Sequence, residues 1–373
     1  MRRNRLKELI LFGLSLCLVL SLMEIALRLT HLATEVAWVQ GDPQLGFKLI
    51  PNQAGTFVVG KFGDEKVRFQ INSEGWNSTK NYRERRDPAV VRIAIIGDSY
   101  IEALNVHPTN AVGAVLEKAL SPTSEIEVYS FGISGASLSH YLAIMRYVRS
   151  QFSPDLYIIN IVHNDFDESL ATVDRSMFHG LRRAGSSYEE VPPTMYQPSL
   201  FRRIVGHSAT IRYLTINLKV RFELKDIRRI GDLWGTTHRF AANIDAAKID
   251  VHETKNIVNY VFKKYLQEAE SDRQKLVLVV DSPRQPIYEG LNPHTSLAFQ
   301  YNQVVTEVCR DLLLHCLDLT DHFWSDFQRN RRRFNSIIDG HWNAHGHEVA
   351  ASAIKDFLLK NLLFPPANHG SIS

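Results

Sequence analysis

Ser99, His341 and Asn164, with the glycines Gly132 and Gly135, are the residue types that acyl chemistry needs, and each stands among turn-forming neighbours. A serine hydroxyl is a poor nucleophile until an imidazole takes its proton. That imidazole works best when a carboxylate fixes its tautomer and stabilises its charged form. Ser99 closes Gly97-Asp98-Ser99, and His341 closes Asp339-Gly340-His341, so one loop offers both an imidazole and a carboxylate. The Asn164 amide can donate to a developing oxyanion. Gly132 or Gly135 can leave a backbone N–H open to an oxygen, because no side chain blocks the approach. Losing one such donor costs roughly 3–4 kcal/mol of transition-state stabilisation.

The neighbours of these residues have plainer readings. His345 and His347 share the loop with His341, and His163 beside Asn164 reads as a packed histidine. Asp98 and Asp165 read as turn or helix-cap residues rather than proton carriers. Asp321 and Asp326 are alternative orienters for the histidine. Arg329, Arg331, Arg332 and Arg333 read first as a solvated charge run and second as a contact for an anionic substrate. No third ligand stands at metal-binding spacing from the Asp and His pairs, so the chemistry is read without a metal or cofactor.

The elements that must position these groups follow from the apolar runs. Val90 to Ile96 is short, β-branched and closed by glycine, as expected of a buried parallel strand feeding a tight turn. Ile126–Phe131, Asp155–Val162, Lys275–Val280 and His315–Leu319 repeat the pattern, with helical stretches at 111–120, 138–148, 296–314 and 348–359 between or after them. Alternating strands and helices predict right-handed βαβ units and an α/β fold, a three-layer α/β/α sandwich on a mainly parallel sheet. A serine on a strand-to-helix turn then sits at the carboxyl edge, where open α/β folds keep their chemistry. Between 166 and 250 the alternation lapses into a polar, turn-rich part and an arginine-bearing helical part, an expected insertion that serves as a lid or as a peripheral layer.

Composition narrows the classes further. The 373 residues are 45% hydrophobic and 22% charged with a net charge of +3, ordinary values for a globular chain with a large core. No basic domain of the kind nucleic acid requires is present. Of three cysteines, Cys17 lies in an apolar run, leaving Cys309 and Cys316 as either a disulfide or two free thiols.

Arg2, Arg3, Arg5 and Lys7 precede the apolar run from Leu9 to Met23, and Glu24 and Arg28 then fall four apart on one helix face. A helix from Leu9 to Leu29 would reach roughly 31 Å, at about 1.5 Å per residue, enough to cross a bilayer. With no small-x-small cleavage site following, 1–31 reads as a basic tail and an uncleaved signal anchor, N-terminus in the cytoplasm. Residues 32–89 read as a lead-in with a small hairpin of 56–59 and 66–71, 90–365 as the main domain, and 366–373 as a tail.

The order Gly97-Asp98-Ser99, Gly132-Ile-Ser-Gly135, Asn164-Asp165 and Asp339-Gly-His341 resembles the four blocks of the SGNH (GDSL) hydrolase superfamily, and the anchored N-terminus resembles its membrane-bound bacterial members. The resemblance spans about 90–359. It implies a flavodoxin-like sheet, Ser99 as nucleophile, His341 as base and Asp339 as its orienter. It further implies an oxyanion hole of Ser99 N–H, Gly135 N–H and the Asn164 amide. Tyr100 stands where leucine often follows the serine, Val162 where a glycine usually precedes the asparagine, and Gly340 alone separates Asp339 from His341.

The expectation is a membrane-held ester hydrolase, its domain periplasmic or extracellular, removing O-acyl groups from an envelope or exported polysaccharide or from another small ester. An O-acyltransferase with the same residues is the first alternative, and a non-catalytic glycan-binding or assembly component the second.

Overall fold

The computed structural model describes residues 2–60, 62–85, 87–122, 125–198, 206–218, 220, 250–270, 272–335, 340–361 and 363. The chain divides into two compact units, one of Met1–Ala37, Gly55–Arg68 and Pro198–Thr237, the other of Trp38–Ala54, Phe69–Gln197 and His238–Ser373.

The larger unit is built on five parallel strands, β5 (Val91–Gly97), β6 (Ile126–Gly132), β7 (Leu156–Ile161), β10 (Leu276–Val280) and β11 (His315–Asp318), in the spatial order β11-β10-β7-β5-β6. This is the doubly wound, flavodoxin-like order, and its switch point lies where β5 meets both β6 and β7. Their residues read as continuous apolar runs because helices cover both faces; Ile93 to Gly97 and Leu276 to Val280 are buried throughout. Ile93, Ile95, Ile158, Val277 and Val279 share one core face with α3 (Val112–Leu120), α9 (Thr320–Asn330) and α10 (Ala344–Lys360). Helix α6 (Val251–Glu268) packs against both α4 (Leu138–Phe152) and α8 (Phe299–Leu312) in a second layer. Two short helices, α2 (Ser99–Glu102) and α7 (Arg284–Tyr288), open directly beyond β5 and β10.

Three antiparallel hairpins decorate the chain: β1–β2 (Val39–Asp42, Gly46–Leu49), β3–β4 (Ala54–Val59, Glu65–Gln70) and β8–β9 (Gly180–Ala184, Ser187–Val191). The second is the hairpin expected from the lead-in. The third occupies part of the stretch expected as an insertion, of which Arg202, Arg203, Arg221, Arg228 and Arg229 lie outside the described residues.

In the smaller unit, α1 (Arg2–Thr30) contains a stretch, Lys7–Thr30, long and apolar enough to cross a membrane. Glu24 and Arg28 form the expected i,i+4 pair at 2.7 Å. Glu24 also accepts the N–H groups of Ala209 and Thr210, each at 2.8 Å, and so meets the start of α5 (Ala209–Arg212).

Candidate active site

Gly97 of β5 lies opposite Gly132 of β6 in the parallel register, and these two glycines let the turn after β5 fold back tightly. A Cβ on Gly97 would lie 2.4 Å from Ile101 Cγ1, and one on Gly132 would lie 1.9 Å from the Glu102 nitrogen. Asp98 caps α2, its Oδ1 accepting the Tyr100 N–H at 2.9 Å, and so places half-buried Ser99 on the first residue of the helix.

His341 reaches Ser99 from 242 residues away: its Nε2 stands 2.7 Å from Ser99 Oγ. The other histidines are turned elsewhere. His345 Nε2 meets Asp326 at 2.7 Å, and buried His347 accepts the Val112 N–H at 3.2 Å. His163 contacts Asn302 at 2.8 Å in the core. Asp321 pairs with His294 at 2.8 Å and Asp326 with His345, so neither alternative orienter is engaged with His341 in these contacts. Asp339 lies outside the described residues.

The second and third strand ends are tied together. Gly135 takes a positive φ of 80°, which favours glycine, and its carbonyl accepts Arg175 Nη2 at 2.6 Å. Arg175 also pairs with Glu168 at 2.9 Å, and the Glu168 N–H donates to the Asn164 carbonyl at 3.3 Å. Gly132, by contrast, is fully packed against the α2 backbone. Asp165 accepts the Val162 N–H at 2.8 Å and the Tyr141 hydroxyl, a turn-closing role.

Residues 93–195 match the family model described as GDSL-like Lipase/Acylhydrolase. Residues 93–195 thus carry the GDSL-like lipase/acylhydrolase pattern, and the rest of the chain lies outside the match. The family is one of ester-hydrolysing enzymes. The matched part holds Ser99, Gly135 and Asn164, while His341 lies beyond it. No curated protein matches the chain. Among solved structures, an alpha/beta hydrolase enzyme from the metagenome of Lake Arreo, Spain, is 15% identical (TM-score 0.40) over 74% of this chain and 97% of its own. The lipase/acylhydrolase from Enterococcus faecalis is 12% identical (TM-score 0.38; 73% and 96% covered), and a two-domain esterase active on acetylated mannans is 13% identical (TM-score 0.37; 73% and 49%).

Around Ser99 the GDSL-like domain buries more carboxyl groups than its motif announces. Burial pushes Asp98 up to about 6, against the pull of its bond to Tyr100 N–H and of the His341 charge. Glu102, three residues after the serine and also buried, is pushed up to about 7 by the same cause, although the Ser134 hydroxyl donates to it. Only its position in the turn ties Glu102 to the site; no sequence pattern singled it out. Tyr100, Asp281, Arg284 and Trp342, the last three unflagged by the sequence, form one buried polar group behind His341.

Elsewhere in the larger unit, Arg329, Arg331, Arg332 and Arg333 are exposed, with Arg333 stacked 3.9 Å from the Tyr288 ring centroid. Cys309 is buried and Cys316 half-buried; both are free thiols, and burial pushes the Cys309 thiol up. Among the described residues no group of three or more His, Cys, Asp or Glu is arranged to hold a metal ion.

Proposed function

We propose that the chain is a serine ester hydrolase working through an acyl-enzyme, with Ser99 as nucleophile and His341 as general base. The observation that carries this reading is the 2.7 Å approach of His341 Nε2 to Ser99 Oγ at the carboxyl edge of the sheet. His341 takes the hydroxyl proton as Ser99 Oγ attacks the ester carbonyl. The tetrahedral intermediate collapses with loss of the alcohol, which leaves with the proton returned by His341. Water, deprotonated in turn by His341, then releases the acid and restores Ser99. Ser99 N–H, Gly135 N–H and the Asn164 amide are the proposed oxyanion donors, and Asp339 the proposed orienter of the imidazole.

The proposed setting is a bacterial cell membrane, with α1 as a single-pass anchor and the GDSL-like domain outside the cytoplasm. Four basic residues before the apolar run and Arg28 after it support this orientation. From that setting follows the proposed substrate, O-acyl groups on an envelope or exported polysaccharide.

The test uses the full chain in detergent with a fluorophosphonate probe and p-nitrophenyl acetate. Wild type is expected to label and turn over, and Ser99→Ala and His341→Ala to do neither. A wild type that neither labels nor turns over overturns the reading. Product analysis with a polysaccharide acceptor present separates hydrolysis from transfer to a sugar hydroxyl.

A further inference from the structure

We infer that Tyr100, Arg284, Asp281 and Trp342 are positioning residues, a closed buried clamp that sets His341 against Ser99. The inference rests on the proposed roles of those two residues. Its hydrogen bonds start and end on the two neighbours of His341. The Tyr100 hydroxyl donates to the Gly340 carbonyl at 2.9 Å and accepts Arg284 Nη2 at 2.5 Å. The same Nη2 reaches Asp281 Oδ2 at 3.1 Å, while Asp281 Oδ1 accepts the Trp342 indole N–H at 3.0 Å. Asn105 Nδ2 donates to the Trp342 carbonyl at 2.9 Å and holds the same residue from outside the circuit.

The clamp joins the nucleophile to the base through their chain neighbours. Tyr100 directly follows Ser99, so its bond to Gly340 ties the residue after the serine to the residue before the histidine. Its ring lies 5.1 Å from the imidazole centroid and meets the Trp342 indole edge-on at 5.2 Å. Asp281 follows β10 directly, its N–H on the Ile161 carbonyl at 2.9 Å, which fixes the circuit to the central sheet. A fourth strand end thus joins the site.

Packing alone does not account for these residue types. Tyr100, Asp281, Arg284 and Trp342 are each 3% exposed or less. Burying an ion pair and a hydroxyl in such a place costs desolvation that apolar side chains of similar size avoid. What apolar side chains do not supply is direction: two donors and a carboxylate fix where Gly340 and Trp342 sit, and hence where the imidazole between them points. Burial pushes the Tyr100 phenol far above its usual range, so it remains the donor that Gly340 requires.

Displacement of about 1 Å at a reacting group can cost on the order of 100-fold in rate. Tyr100→Phe removes the hydroxyl and keeps the ring. It is expected to slow fluorophosphonate labelling and lower kcat for p-nitrophenyl acetate by 10-fold or more, with KM within about 2-fold and the melting temperature nearly unchanged. Arg284→Met is expected to do the same, with partial rescue by Arg284→Lys; should Arg284→Met fail to fold, Tyr100→Phe carries the test.

Hydrogen exchange of a peptide spanning 340–345 reads the clamp without reference to catalysis, and Tyr100→Phe is expected to speed it. If wild type labels and Tyr100→Phe labels equally fast, the clamp is overturned. Should wild type not label at all, the proposed function fails, and exchange alone judges the clamp: unchanged exchange overturns it, and faster exchange supports it as a device that orders the loop.

Discussion

Glu102 accepts the hydroxyl of Ser134, the residue before Gly135, so the turn after β5 holds the turn after β6. The carboxyl is buried, and its protonation midpoint rises to about 7 from 4.5. Between those two values the folded protein keeps a proton that the unfolded chain has released. The neutral form's advantage is complete below about pH 4.5 and is lost as pH rises to about 7, on the order of 3 kcal/mol in all. Asp98 adds to the loss with the same sign, whereas His140 and His347, held neutral by burial, act with the opposite sign. The difference between wild type and Glu102→Gln isolates the one group. Melting temperatures taken from pH 4.5 to 8 are expected to show wild type losing ground to Glu102→Gln across the window, and a constant difference counts against the assignment.

The pairing of Ser99 with His341 predicts non-additive losses. Ser99→Ala and His341→Ala are each expected to lower kcat by at least about 1,000-fold, and the double variant to be no worse than the poorer single one, because the two act as a unit. Turnover of p-nitrophenyl acetate by all three variants measures this. Losses that multiply would mean that the two residues serve separate steps.

How much of this was legible depends on the range of the interaction. The strands at 91–97, 126–132, 156–161, 276–280 and 315–318 fell where the apolar runs placed them, because a parallel strand covered on both faces leaves an unbroken signal. Ser99 and His341 were legible because their motifs are local, and the fold then joined them. The hairpins β1–β2 and β8–β9 gave no such signal: Val39–Asp42 and Ser187–Val191 are short and partly exposed. The clamp was illegible for another reason. Tyr100 and Arg284 are 184 residues apart, and neither carries a pattern that names the other. Gly132 and Gly135 looked interchangeable as sequence, and only register and φ assign them different work.

Those two glycine requirements can be separated by substitution. A Cβ at Gly132 would meet the Glu102 nitrogen at 1.9 Å and the Ile101 carbonyl carbon at 2.4 Å, both backbone atoms that cannot swing aside. Gly132→Ala is therefore expected to cost on the order of 3 kcal/mol or more, or to prevent folding. Gly185 takes a φ of 62° in open space, so Gly185→Ala meets conformational strain alone, about 1–2 kcal/mol. Thermal melting of the two variants should rank them in that order.

Arg175 offers the last prediction, because it acts on the proposed oxyanion donors from behind. Its guanidinium holds the Gly135 carbonyl at 2.6 Å and Glu168 at 2.9 Å, and the Glu168 N–H donates to the Asn164 carbonyl at 3.3 Å. Asn164→Ala removes a donor outright and is expected to lower kcat by about 100- to 1,000-fold with little change in KM. Arg175→Met leaves every donor in the chain but frees two of them to move, so a smaller loss, about 10- to 100-fold, is expected, again in kcat. Because Arg175 works through Asn164 and Gly135, its effect should shrink once Asn164 is alanine. In a double-mutant cycle on p-nitrophenyl acetate, additive losses would detach Arg175 from the oxyanion site, and a clear shortfall from additivity would place it there.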